Sequence, residues 1–492
     1  MIKLFHKFRR TWPLLLVLAY YAIAAGAMAR TKLPWIDEAF VANPAYNLLH
    51  GHGLVTDFYE PADHTNETFA RYTYWMPPVW FLVLAAWFKM LGFGLMQQRC
   101  LSVIWGAVCL IATYMIGWKV SGRRAVGLLA SALLASDFLF LNHAADGRMD
   151  MMVAACSFSA YAIYLLLRER NLAYAVLASQ TLIVLAGLTN PIGIIGWLGM
   201  LYLVLILDWK RLRPGLLLPA IAPYLAGGVL WGIYISKNVP VFLEQFGEKT
   251  SAPDLNPLTA LAGEIAVRYL PLYGVDISGH VKALSGLIIF LVYSGGVAGA
   301  WWIFLHRRRL AEGLLPGLWA IEFAGMAFLI TLKSDYHMPQ ILPLYALLLA
   351  GFAVELWNWK GGRIAACGLV AALLICQLSI VAHKVRADYY SNLYLPVSRM
   401  VDAQDEGRII SAGPEFGFSN GFRSNLKDDF FYGYYTGKIP DLIVVRKGAA
   451  KAKPSDPKLD AYLKDLFANR LQLSYENSCY LVFAKKDGSG HP

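Results

Sequence analysis

With 492 residues, 57% of them hydrophobic and only 16% charged, and a mean hydropathy of +0.46, the chain is too apolar to be an ordinary water-soluble protein of this length. Its net charge of +11 would suggest nucleic acid in a soluble chain, but much of it sits in short Lys/Arg connectors between apolar runs, so no nucleic-acid partner is indicated. Five of the six cysteines lie within or at the ends of apolar runs, which argues against a disulfide framework or a Cys-rich metal site.

A basic N-terminus leads into an apolar run over 11–29, read as a retained signal-anchor long enough to cross about 30 Å of hydrocarbon. A polar loop over 30–75 follows, carrying Asp37 and Glu38, with a helix expected over 38–49, Asp37 as its N-cap, and Gly51 and Gly53 ending it. Phe40, Tyr46 and Leu49 are expected against the membrane surface. Apolar runs then fall at 76–93, 99–118, 125–143, 151–167, 172–189, 191–207, 214–235, 281–305, 314–332, 338–357 and 364–382.

The basic connectors are Lys119/Arg123/Arg124, Arg168/Arg170, Lys210/Arg211/Arg213, 306–309 and Lys360/Arg363. If these face the cytoplasm, then 146–150, Asn190, the loop 236–280 and 333–337 share the opposite face with Asp37 and Glu38. The run 76–93 breaks this parity, and Pro77-Pro78 at its start argues for an irregular, re-entrant or interfacial segment. In the loop 236–280 the best helical stretch is 257–270. After 383 the composition turns polar, with strands expected at 408–412, 441–446, 471–475 and 478–484 and an amphipathic helix at 457–469. The expected organisation is a polytopic α-helical membrane domain over 1–385 with about 11–13 spans, then a small α/β extracytoplasmic domain over 386–492. The N-terminus is expected in the cytoplasm of a bacterial cell, with the spans in the inner membrane.

Three charged groups stand out. Asp37 and Glu38 are either a helix cap beside a solvated carboxylate, or a proton acceptor and a binding group at headgroup level. Asp146, Arg148 and Asp150 border an apolar run, where ionised groups need each other or a wet cavity; a structural Asp146–Arg148 pair is the plain alternative. Lys333, with Tyr336 and His337 beside it, is either an interface lysine or the partner of a lipid phosphate, and Arg71 and Arg268 are further phosphate candidates. His50, His52, His64, Asp63 and Glu67 supply metal-ligand types without a recognised spacing, so a divalent ion stays open. No Walker loop, dinucleotide glycine fingerprint or serine elbow occurs, and no nucleotide cofactor is expected.

Trp35-Ile-Asp-Glu38, Tyr74-Trp-Met-Pro-Pro78, Gln98-Arg-Cys-Leu-Ser102, Arg148-Met-Asp150, Leu188-Thr-Asn-Pro-Ile-Gly193, Lys333-Ser-Asp-Tyr-His-Met-Pro339 and Pro343-Leu-Tyr345 occur in that order. In these motifs the chain resembles the GT-C glycosyltransferase superfamily, specifically the protein O-mannosyltransferases and aminoarabinose lipid A transferases, over about residues 10–385. Met76 departs from the pattern, since many lipid A transferases carry a charged residue immediately before the proline pair.

The resemblance implies a GT-C fold and a donor of one sugar on a polyprenyl phosphate, passed by an inverting displacement to a lipid, glycan or protein acceptor at the extracytoplasmic face. It implies Asp37 as the base; Glu38, Asp150, Asp146 and Arg148 as positioning groups; and Lys333 with Arg99 on the departing phosphate. A transporter or flippase of a lipid-linked sugar is the alternative, because internal charges also line translocation paths. A lipid-presenting accessory subunit is the third reading.

Overall fold

The structure is a computed structural model that describes residues 2–60, 64–249, 256–274, 283–405, 407–448 and 456–486. Two compact units emerge: Met1–Ala29, Trp75–Trp80 and Arg99–Val385 form the first, and Arg30–Tyr74, Phe81–Gln98 and Arg386–Pro492 the second. Among the described residues nine helices are long and apolar enough to span a membrane, from Trp12–Thr31 to Gly362–Asp402, or ten if one bent pair counts as a span. The chain is thus an integral, multi-pass membrane protein.

Two expected spans are shorter than their apolar runs. The run 76–93 forms Val79–Leu91, 13 residues, which at about 1.5 Å per residue falls well short of the hydrocarbon thickness. The run 338–357 yields the 16-residue helix Leu342–Trp357, whose residues 342–350 are all buried against Leu284–Arg307 and Arg124–Ser136. Its apolarity reflects burial on every side.

The run 125–143 is two helices, Arg124–Ser136 and Phe138–Ala144, meeting at 67°. Asp137 sits at the break: one oxygen accepts from Phe140 N at 2.8 Å, the other from Tyr293 Oη at 2.8 Å and Gln377 Nε2 at 2.7 Å. Gln377 Oε1 accepts from Phe138 N at 2.8 Å. A helix can break among apolar spans only where neighbouring side chains satisfy the freed backbone, and these residues do so.

Gly127 lets the helices Leu95–Ser121 and Arg124–Ser136 cross closely, since a Cβ there would stand 2.3 Å from Tyr114 O. Ser131 Oγ donates to Leu110 O in the same contact, at 2.9 Å. Replacing Gly127 by Val is expected to cost on the order of 1–3 kcal/mol through overpacking. Thermal denaturation in detergent would read this as a midpoint several degrees lower; an unchanged midpoint contradicts the close crossing.

In the second unit, β1 (Ile410–Ser411), β2 (Leu426–Lys427), β3 (Leu442–Arg446), β4 (Leu471–Glu476) and β5 (Tyr480–Lys485) form one mixed sheet in the order β2-β1-β3-β5-β4. β1 is parallel to β2 and β3; β5 is antiparallel to β3 and β4. Leu442 and Val444 pack with Tyr394, Val397, Phe416 and Tyr480, while Ile443 and Val445 pack with Leu466 and Leu471. With both faces covered, β3 reads as an unbroken apolar run. The helix Pro457–Asp465 continues through a π-turn to Arg470, so the expected helix and hairpin are present. The two-residue β2 has no periodicity to reveal it.

Candidate functional site

The first unit gathers charges from three separate stretches. The turn after Phe138–Ala144 brings Asp146, Arg148 and Asp150 to the start of the helix Asp150–Leu167. There Arg148 Nε donates to Asp150 Oδ2 at 2.9 Å, and its guanidinium lies 4.3 Å from the centre of the Tyr336 ring. All three are buried, and Asp150 gains further from the helix N-terminus it occupies. His143 Nδ1 lies 3.3 Å from Asp146 Oδ2, and its Nε2 lies 3.9 Å from Asp335 Oδ2.

The second stretch is the helix expected over 257–270, observed as Pro257–Gly263 continuing through a π-helical turn over Glu264–Tyr269. The turn places Glu264 Oε1 3.2 Å from Arg268 Nε, with both side chains fully buried. The third is the linker before Leu342–Trp357, where Lys333 Nζ lies 3.2 Å from Glu264 Oε2 and donates to Ala327 O at 2.6 Å and Met326 O at 3.1 Å. Two cations thus share one carboxylate. The guanidinium Nη1 and Nη2 of Arg268 are buried without a hydrogen-bond partner among the described residues. Such a group carries a large desolvation cost unless a further anion meets it.

The 3-10 turn Asp335–Gln340 joins these groups. Gln340 Nε2 donates to Asp150 O at 3.1 Å, and the Tyr336 and His337 rings meet at 4.3 Å. Burial, then the Arg268 and Arg148 guanidiniums, holds the His337 imidazole well below its ordinary range, so it is neutral at physiological pH. Asp146, Arg148, Asp150, Arg268, Lys333, Tyr336 and His337 therefore meet in one region. The sequence reading singled out neither His143 nor Glu264, although His143 precedes Asp146 by three and Glu264 precedes Arg268 by four, spacings that place each pair on one helical face.

Arg99 is fully buried, and its Nη1 donates to Ala29 O at 2.6 Å, at the end of the first span. A cavity of about 700 Å³ lies between Leu172–Thr189, Ile194–Asp208 and Leu217–Ile235, with Ile183, Leu188, Trp197, Ile221 and Trp231 in its apolar wall. The Leu188–Gly193 motif shapes one end of this cavity: Asn190 stops the first of these helices and its Oδ1 accepts from Ile192 N at 3.1 Å.

In the second unit the helix Ile36–Leu49 has Trp35 at its N-cap, not Asp37, which is part-buried in the first turn. Buried Glu38 closes that end: its Oε2 accepts from Trp35 N at 2.9 Å, and its carbonyl from Gln98 Nε2 at 2.8 Å. Phe40 and Tyr46, expected at a membrane surface, join aromatic clusters instead, with Phe58, Tyr59 and Phe69 and with Phe93 and Phe422 respectively. Arg71 is exposed in the turn after His64–Phe69. Among the described residues no three His, Cys, Asp or Glu side chains could hold a metal. Of the metal-ligand types noted in the sequence, Asp63 and the His64 side chain lie outside the described residues.

No protein-family model matches the sequence. An uncharacterized protein of Aquifex aeolicus is 21% identical over 351 residues, 68% of this chain; the chain spans 62% of that relative's length. The crystal structure of ArnT from Cupriavidus metallidurans bound to undecaprenyl phosphate superposes with a TM-score of 0.61 at 14% identity, over 98% of this chain and 99% of ArnT. The archaeal oligosaccharyltransferase AglB from Archaeoglobus fulgidus, in complex with an inhibitory peptide and a dolichol-phosphate, gives 0.53 at 13% identity, over 89% of this chain and 70% of AglB. The chain shares its fold with these two membrane proteins.

Proposed function

We propose that the chain transfers a single sugar from a polyprenyl-phosphate donor to a hydroxyl of a lipid, glycan or protein acceptor at the extracytoplasmic face of the membrane. The observation that carries this reading is the buried Arg268–Glu264–Lys333 cluster, in which two cations share one carboxylate and Nη1 and Nη2 of Arg268 have no hydrogen-bond partner among the described residues. A phosphate ester supplies charged acceptors for those guanidinium nitrogens. Supporting it, two proteins of the same fold have been solved with undecaprenyl phosphate and with a dolichol-phosphate.

In this mechanism the acceptor oxygen attacks the anomeric carbon as the bond from that carbon to the phosphate oxygen breaks. The hydroxyl proton passes to Asp37, a role carried over from the sequence resemblance. Lys333 and Arg268 stabilise the charge that grows on the leaving phosphate. The Arg148–Asp150 pair, braced by Gln340, orients sugar or acceptor hydroxyls. A single displacement inverts the anomeric configuration and needs no covalent sugar intermediate.

The test is reconstitution in liposomes with radiolabelled polyprenyl-phosphate sugars. Label on a new acceptor, in the inverted configuration, supports the reading. Transbilayer movement of the donor without transfer overturns it in favour of a transporter.

A further inference from the structure

We infer that the first unit carries a second binding site, separate from the sugar transfer proposed above, for the headgroup of an aminophospholipid: Arg309 takes the phosphodiester and Glu312 the primary ammonium. Every residue of this site belongs to the first unit. It lies at the far end of the helix Leu342–Trp357 from the turn Asp335–Gln340, so about 24 Å of helix separates it from the buried cluster of Lys333.

A cavity of about 300 Å³ forms where the connector 121–123, the end of Leu284–Arg307, the start of Leu310–Leu329 and the end of Leu342–Trp357 meet. Ile303, Leu315 and Phe352 supply its apolar wall. Its polar wall is an ion-pair chain: Arg123 Nη1 donates to Glu355 Oε1 at 2.8 Å, Arg307 Nη2 to Glu355 Oε2 at 3.0 Å, and Arg307 Nη1 to Glu312 Oε1 at 3.0 Å. These bonds occupy both oxygens of Glu355 but only one of Glu312. Glu312 Oε2 is buried with no hydrogen-bond partner among the described residues. A turn about the last side-chain torsion, which is soft for a carboxylate, aims that oxygen at the cavity. Arg309 lines the same cavity, is exposed, and pairs with no carboxylate among the described residues. It also stands at the N-cap of a 20-residue helix, whose first N–H groups lack intrahelical acceptors and favour an anion.

The cavity thus offers one unmatched cation and one unmatched carboxylate oxygen. An anion alone would answer Arg309 and leave Glu312 Oε2 unsatisfied; a cation alone would face Arg309. A zwitterion answers both, and only an ammonium with N–H groups can donate to the carboxylate.

The surroundings identify the zwitterion as a lipid's. Trp302, Trp357 and Trp359 are exposed at this end of the bundle, and the ring of Trp359 lies 5.3 Å from that of Trp302 and 6.5 Å from that of Phe352. Exposed tryptophans beside the basic stretches 306–309 and Lys360/Arg363 mark the level of the lipid headgroups. A headgroup in the cavity leaves its acyl chains to run along the exposed apolar residues of these helices, such as Leu305 and Leu310.

The test is titration of the full chain in detergent with phosphatidylethanolamine, phosphatidylcholine and phosphatidylglycerol of identical acyl chains, read by native mass spectrometry and by the thermal midpoint. Phosphatidylethanolamine is expected to bind about tenfold more tightly than either of the others, the worth of one charge-assisted hydrogen bond, and to raise the midpoint most. Glu312→Gln keeps an acceptor for Arg307 but loses the charge, and should bring the three lipids to within about twofold of one another. Arg309→Gln removes a side chain that the fold does not use, so it should weaken all three alike and leave the lipid-free midpoint unchanged. If Glu312→Gln does not fold, the wild-type ranking together with Arg309→Gln decides. Equal affinity for the three lipids, or a preference for phosphatidylglycerol, overturns the inference in favour of a plain basic patch. Glycerophosphoethanolamine binding as tightly as the intact lipid overturns it too, since the occupant would then be a soluble zwitterion.

Discussion

Asp37→Asn is expected to lower sugar transfer by about 10²–10⁴-fold, the contribution of a positioned general base, with little change in stability. Stability is spared because Asp37 neither caps its helix nor is fully buried: the N-terminal turn is closed by Glu38 Oε2 on Trp35 N, and Asn retains the size of Asp. Initial rates in liposomes, read beside the thermal midpoint, separate the two effects. Glu38→Gln provides the contrast, since it weakens the hydrogen bond that ends the helix and buries the altered group, so its effect should appear in stability before activity. Full transfer activity in Asp37→Asn would remove that residue from the chemistry.

The second large effect is at the buried cluster, where the three members are expected to behave asymmetrically. Lys333→Met leaves Glu264 paired with Arg268, so the protein should fold while kcat falls by about 10²–10³-fold through lost stabilisation of the leaving phosphate. Glu264→Gln removes the carboxylate that the two cations share, in a region where Arg268 and Glu264 are fully buried. That change is expected to cost about 3–5 kcal/mol of stability, the usual result of breaking a buried ion pair. Denaturation and single-turnover rates on both variants decide the matter. A fully active Lys333→Met would mean that the cluster is structural packing without a phosphate to meet, and a stable Glu264→Gln would mean that Glu264 is not the counter-ion that holds the two cations.

Hydropathy and charge spacing were enough to read a multi-pass membrane protein, because a segment that must lie in hydrocarbon has no choice but to be long, apolar and helical. The same patterns could not separate a helix facing lipid from one facing protein. Leu342–Trp357 and the run 76–93 satisfy the composition of a span but not its length, and Asp137 breaks a third run by means of partners at 293 and 377. Period and composition are local quantities, whereas a break inside an apolar run depends on which distant side chains are present to satisfy it.

The charged residues divide in the same way. Asp146, Arg148 and Asp150, Lys333 to His337, and Arg268 were visible one by one as ionised groups at the margins of apolar runs, where they are costly and therefore conspicuous. Glu264 was one loop acid among several, and only the π-turn and the linker that carries Lys333 make it the shared counter-ion of two cations. Likewise a strand-like pairing between residues 59 and 428 has no local signature. Amino-acid order determined which groups carry charge and which segments must leave water; the tertiary structure decided which charges meet, because a buried ion is tolerable only beside a partner, and the chain brings some partners from far away, as it brings Gln377 to Asp137.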